Sequence, residues 1–96
     1  MQEYTYNIAG DFSSVRALEI KEELKGLAKT CTNLVVDATA VNKSDIGSIN
    51  ALMMCYKLMK ANGGKMTLKL IASKKSELNE LLDVTKFRRM LDIQYA

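Results

Sequence analysis

Short apolar segments alternate along this chain with segments of helical periodicity, and this alternation constrains the fold more than any other feature. Residues 4–9 are rich in β-formers and residues 33–37 form a short apolar run, so both predict strands. Between them, residues 15–29 place apolar side chains at helical spacing among charged ones, which is typical of a surface helix with one buried face. We expect the first strand to end at Gly10 and Asp11, because turn-forming residues begin there.

The second half of the chain repeats this order of strand and helix. After a polar connection over residues 39–45, a helix begins near Ile46 and ends at the glycine pair within residues 61–64. Residues 65–72 predict a third strand, a shorter leucine-rich helix follows, and residues 92–95 indicate a last short strand. The alternation predicts an α/β fold: a mostly parallel sheet of about four strands with helices packed on it in βαβαβα order.

Polar residues at the predicted helix starts are candidate N-caps, since a side-chain oxygen can accept a hydrogen bond from an unpaired N–H of the first turn. The candidates are Asp11, Ser13 and Ser14 for the first helix, Asp45 for the second and Ser73 for the third.

The composition favours one globular domain over residues 1–96. Hydrophobic residues make up 48% of the chain, which is enough for a single core. The net charge is only +3, and the basic residues are spread along the sequence instead of forming a dense patch among stacking aromatics. We therefore expect no nucleic-acid binding.

The residue types that usually carry catalysis or hold metals are scarce. The chain has no histidine, and its two cysteines, Cys31 and Cys55, stand 24 positions apart without a CxxC motif. No nucleophile is paired with a base, and no glycine-rich loop lies between a strand and a helix. These patterns predict a protein that is not an enzyme and binds neither a cofactor nor a metal.

The hydropathy pattern predicts a cytoplasmic protein. The segment from Met1 to Tyr4 is polar, and no apolar run approaches the length that spans a membrane. We therefore expect no membrane span.

One ordered set of features lies in the middle of the chain. A strand ends in Asp37, a second aspartate, Asp45, follows eight residues later, and a helix begins directly after it. That helix ends in an Asn-Gly-Gly-Lys turn at residues 62–65, and an apolar strand follows. In this order the chain resembles a STAS domain, the module named after sulphate transporters and anti-sigma-factor antagonists. Phe87 and the serine-rich helix before it extend the resemblance over most of the sequence.

The helix start departs from the family pattern. Where members of the family usually carry a phosphorylated hydroxyl residue after the aspartate, this chain has Ile46, and Gly47 and Ser48 occupy the next two positions. A phosphate at a helix N-terminus would be stabilised locally and would change the charge of a docking surface, but Ile46 has no oxygen to accept one. Either Ile46 keeps the surface in a permanently unphosphorylated-like form, or a neighbouring hydroxyl, Ser44 or Ser48, is phosphorylated instead.

The resemblance implies a non-catalytic protein–protein interaction module that acts in bacterial partner switching, and so in signal transduction and transcription regulation. Its implied partner is a protein such as a serine-kinase-like anti-sigma factor. An alternative is a structural or adaptor subunit of a membrane transporter or sensory complex, and a homodimer stays open. The predicted partner-binding residues lie at the helix start: Ser44, Asp45, Ile46, Gly47, Ser48 and Ile49.

Each of these residues also has a purely structural explanation. Asp45 is a good N-cap in any protein, and Ser44 and Ser48 are typical of local hydrogen bonding to the backbone. The methionine-rich second helix is typical of core packing, although methionine is also common on adaptable binding surfaces.

Overall fold

The structure, a computed structural model, describes residues 3–71 and 76–95. Within these residues the four strands form one sheet in the order β1-β2-β3-β4, and all neighbouring strands are parallel. The predicted α/β fold class is confirmed. The elements are β1 Glu3–Phe12, α1 Ser14–Ala28, β2 Asn33–Ser44, α2 Ile46–Ala61, β3 Lys65–Leu70, α3 Glu77–Val84, a 3₁₀ turn Phe87–Arg89 and β4 Asp92–Tyr95.

The core lies between one face of the sheet and the helices. Side chains on this face of the strands, such as Ile8, Val36 and Leu68, are buried in one cluster with residues of all three described helices. The opposite face carries polar side chains: Asn7, Asp37 and Lys69 occupy neighbouring register positions there. The strands follow one another across the sheet in chain order. Because crossovers between parallel strands are right-handed, this order places the connecting helices on the same face of the sheet.

The first two strands extend further than the sequence indicates. Gly10 does not end β1, which continues to Phe12, and most of the predicted connection over residues 39–45 belongs to β2, which continues to Ser44. Two shifts in the β1–β2 register accompany this extension, and Gly10 adopts a φ of 73°, which a glycine tolerates without strain. The extension brings Phe12 and Ser44 together as register partners directly before α1 and α2.

The third helix begins later than the predicted cap. Ser76 is its N-cap, and the Ser76 hydroxyl accepts a hydrogen bond from the Asn79 N–H at 3.2 Å. Ser73, the predicted cap, lies outside the described residues. No helix in the described ranges combines the length and apolarity needed to cross a membrane.

Candidate functional site

A single carboxylate binds the starts of two helices. Asp45 is the N-cap of α2, and its Oδ1 accepts a hydrogen bond from the Gly47 N–H at 2.9 Å. Its Oδ2 accepts a second bond, also at 2.9 Å, from the Ser14 N–H at the first residue of α1. Asp45 therefore satisfies one unpaired donor at each of two neighbouring helix N-termini.

This arrangement differs from the caps expected for α1. Ser13 occupies the N-cap position but makes no capping bond with its side chain, because its hydroxyl donates to the Asp11 carboxylate. Ser14 lies in the left-handed region with a φ of 51°, an uncommon conformation for a residue with a side chain. The link to Asp45 crosses 31 positions of sequence, so local sequence signals could not reveal it.

Gly47 allows the two helices to approach each other at their starts. A Cβ atom at this position would lie 2.9 Å from Asp45 Oδ1 and 3.3 Å from the Ala17 Cβ in α1. Both distances are shorter than ordinary carbon contacts. The glycine is therefore a packing requirement of the double cap.

The six predicted site residues divide into two groups by exposure. Ile46 exposes 57% of its surface, while Asp45 and Gly47 are partly exposed beside it. Ser44, Ser48 and Ile49 are buried. The structure thus brings Asp45, Ile46 and Gly47 together at the surface and places the other three beneath it.

The two candidate phosphorylation sites are both in the buried group. Ser48 has no exposed surface, and its hydroxyl donates a hydrogen bond to the Asp45 carbonyl at 2.6 Å. The backbone N–H of Ser44 donates to Glu77 Oε1 at 2.9 Å, which ties the end of β2 to the start of α3.

Two more exposed apolar side chains belong to the helix whose start is bonded to Asp45. Val15 and Leu18 lie in the first two turns of α1, the helix joined to Asp45, and expose 69% and 62% of their surface. Isolated exposed apolar residues are ordinary, but a group of them is typical of an interaction surface. We call Val15, Leu18 and Ile46 the apolar triad. The sequence did not point to Val15 or Leu18, because both look like ordinary positions of a surface helix.

A second feature borders Asp45 on the side of α3. Here a cavity of about 230 Å³ has a mixed acidic and apolar lining, and we call it the acidic groove. It is lined by Ser44, Asp45, Glu77, Glu80, Leu81 and Val84.

A buried cysteine lies in the middle of α2, away from the helix start. Cys55 is fully buried, and burial raises the pKa of its thiol to about 12, so it carries no thiolate at neutral pH. No group of three acidic or cysteine side chains within residues 3–71 and 76–95 converges closely enough to hold a metal ion.

Comparison with known proteins identifies the family to which this fold belongs. The family model of the STAS domain matches residues 3–95, and the chain belongs to that family. The solved structure of the anti-sigma-factor antagonist SpoIIAA in its unphosphorylated form superposes with a TM-score of 0.75. The match covers 99% of this chain and 81% of that one at 9% sequence identity, and therefore shows a shared fold. A comparison with curated protein sequences finds no match.

Proposed function

We propose that this STAS domain is a non-catalytic docking module for a protein partner of the anti-sigma-factor type, and that its binding surface is the apolar triad together with Asp45 and Gly47. In this role it acts in the bacterial cytoplasm, where it binds a regulatory protein in competition with that protein's other partner. The likeness to SpoIIAA supports this class of partner, because SpoIIAA is an anti-sigma-factor antagonist.

The exposed side chain of Ile46 is the observation that carries the proposal. It lies at the first position of α2, exposes 57% of its surface and is not part of the hydrophobic core cluster. Burying the exposed part of this isoleucine against a partner would stabilise a complex by about 1–1.5 kcal/mol. Since Ile46 cannot accept a phosphate, the surface stays in one charge state.

The alternative of phosphorylation at Ser44 or Ser48 remains a hypothesis with a structural cost. Phosphoryl transfer requires a hydroxyl that projects far enough to reach a nucleotide in the active site of a kinase, whereas Ser44 and Ser48 expose only 6% and 0% of their surface. Exposing Ser48 would also break its hydrogen bond to the Asp45 carbonyl inside the first turn of α2. We therefore assign control of this surface to the availability of the partner.

Calorimetric titration tests the proposal directly. The purified chain is titrated with the serine-kinase-like anti-sigma factors encoded by its own source genome, as wild type and as Ile46→Glu. We expect the dissociation constant to rise at least a hundredfold in the variant, because a charge must then be buried in an apolar contact. Met90→Glu, at a comparably exposed apolar position after the 3₁₀ turn, is the matched control and should change binding less than threefold. Equal affinity of wild type and Ile46→Glu would refute the proposed surface.

A second candidate function is that of an adaptor subunit in a larger membrane-associated or sensory complex. The observation that favours it is a shallow cavity of about 390 Å³ on the outer side of α1 and α2, lined partly by Met53, Met54 and Leu58. Methionine adapts to varied partner surfaces. Co-purification as a constant assembly on size-exclusion chromatography would support the adaptor, and a monomer that binds reversibly would support the docking module.

A further inference from the structure

The acidic groove is a concentration of negative charge on a chain whose net charge is +3. Asp45, Glu77 and Glu80 line it, and none of the three forms an ion pair with a residue in the described part of the chain. Leu81 and Val84 supply the apolar part of its lining. Carboxylates above an apolar surface suit a ligand that has a positive end and an aliphatic stem.

Ser44 adds an independent sign that the groove is incomplete. It lines the groove, only 6% of its surface is exposed, and its Oγ has no hydrogen-bond partner among the described residues. A buried hydroxyl without a partner costs about 1–3 kcal/mol, so proteins rarely retain one unless a bound group satisfies it. A ligand that donates hydrogen bonds would satisfy both the hydroxyl and the carboxylates.

The arrangement favours an organic cation over a metal ion. No three acidic side chains of the described residues lie close enough together to hold one metal ion. The carboxylates of the groove therefore suit a ligand whose hydrogen-bond donors are spread over several atoms. Two of them already accept backbone hydrogen bonds, Asp45 from Gly47 and Glu77 from Ser44, which fixes their positions. A guanidinium presents five donors in a plane, whereas an ammonium is a compact point charge.

We propose that the acidic groove binds an arginine side chain of the protein partner, with the guanidinium on Asp45, Glu77, Glu80 and the Ser44 hydroxyl and the aliphatic stem on Leu81 and Val84. This inference rests on the proposed function, because the groove borders the docking surface at Asp45. It adds the chemistry of the partner: an arginine next to the apolar residues that cover Ile46.

The test uses a peptide probe, so that it does not depend on the partner. Acetyl-Leu-Arg-Leu-amide is titrated into ¹⁵N-labelled protein, and the same peptide with citrulline, which is neutral and has the same shape, is the control. We expect the arginine peptide to shift the amide signals of Asp45, Glu80 and Val84, and we expect the citrulline peptide to leave them in place. Equal shifts with both peptides, shifts centred elsewhere, or no binding at tens of millimolar would overturn the inference.

Charge-only variants locate the binding within the groove. Glu77→Gln/Glu80→Gln should weaken the arginine peptide about tenfold, because charge-assisted hydrogen bonds are replaced by neutral ones. Glu19→Gln/Glu22→Gln removes the same charge from the exposed face of α1 and should change binding less than twofold. If the two double variants weaken binding equally, the effect is general electrostatics and the inference is wrong.

Two further variants separate this groove from its alternatives. Ser44→Ala should weaken the peptide about threefold while leaving the urea midpoint unchanged or higher, because an unsatisfied hydroxyl has been removed. Binding that appears only in Lys74→Ala/Lys75→Ala would mean that the chain's own lysines compete for the groove, and would overturn a site for a partner. Peptide binding without partner docking would refute the proposed function alone, and docking without peptide binding would refute this inference alone.

Discussion

The Asp45 carboxylate accepts a hydrogen bond from the backbone N–H of Ser14 at 2.9 Å, across 31 positions of the chain. The other oxygen of the same carboxylate caps α2 through the Gly47 N–H. One side chain thus fixes the starts of two helices relative to each other, and the exposed residues of both starts form the apolar triad. The geometry of the proposed docking surface therefore depends on a residue whose main contacts are structural.

Removing the Asp45 side chain should destabilise the fold by about 2–3 kcal/mol. The loss of an N-cap costs about 1 kcal/mol, and a second charge-assisted hydrogen bond adds about 1.5 kcal/mol. Asp45→Asn retains one acceptor and should cost about half as much. Urea denaturation followed by circular dichroism measures both variants.

The control is Glu22→Ala, at an exposed acidic residue of α1. This variant should change stability by less than about 0.5 kcal/mol, as a surface substitution usually does. If Asp45→Ala matched that control, the double cap would not contribute to stability.

Two glycines in helices should respond to alanine with opposite signs. At Gly26 a Cβ would meet nothing within 4 Å, so Gly26→Ala should stabilise the protein by about 0.5–1 kcal/mol through helix propensity. At Gly47 the same Cβ would approach Asp45 Oδ1 at 2.9 Å, and the displaced carboxylate should make Gly47→Ala destabilising by about 1 kcal/mol. Thermal unfolding of the two variants side by side gives both signs. A stabilised Gly47→Ala would show that the cap can shift without cost.

The order of elements could be predicted from the sequence because each segment carries its own periodicity. The start of α2 was also predictable, since Asp45 precedes an apolar helix and a glycine pair ends it. The later parts of β1 and β2 could not be predicted, because Gly10 and the polar residues after Asp37 are typical of turns. Their strand conformation comes from pairing with each other through shifted register, which is a tertiary effect.

The candidate site shows the same division between local and long-range information. Local signals identified Asp45 and the position of Ile46. They could not separate the exposed Ile46 from the buried Ser48 and Ile49, because that separation depends on how α2 lies on the sheet. The acidic groove also escaped prediction, since it joins Ser44 to Glu77, 33 positions later.

The polar face of the sheet should make stability depend on pH through Asp37. The Thr39 hydroxyl donates to Asp37 Oδ1 at 2.6 Å and the Thr39 N–H at 3.0 Å, and these bonds, with Lys69 beside them, lower the pKa of Asp37. A carboxyl whose pKa is lower in the folded state stabilises the fold above its unfolded pKa of about 3.9 and loses that contribution as the pH falls.

Thr39→Val tests this dependence. The variant should raise the pKa of Asp37 in a carboxyl ¹³C titration, and its stability deficit should be larger at about pH 6 than at about pH 2.5. Thr5→Val, at an exposed position of β1, is the control and should show no such difference. An unchanged pKa of Asp37 in Thr39→Val would contradict the assigned cause.

Replacing Ile46 with serine should convert this domain into a phosphorylatable one. The side chain at this position is exposed at the first residue of α2, so a serine hydroxyl would be accessible. A phosphate there would lie at the positive end of the dipole of α2. With a serine-kinase-like anti-sigma factor and ATP, mass spectrometry should detect one phosphate on Ile46→Ser and none on the wild type, in which Ser44 and Ser48 are buried.

The phosphorylated variant should bind its partner at least tenfold more weakly than the unmodified variant, because the added charge of about −1.5 to −2 must be desolvated in an apolar contact. Phosphate on the wild type at Ser44 or Ser48 would instead show that the start of α2 opens to the kinase. Docking would then be controlled by phosphorylation at a neighbouring serine and would not be constant.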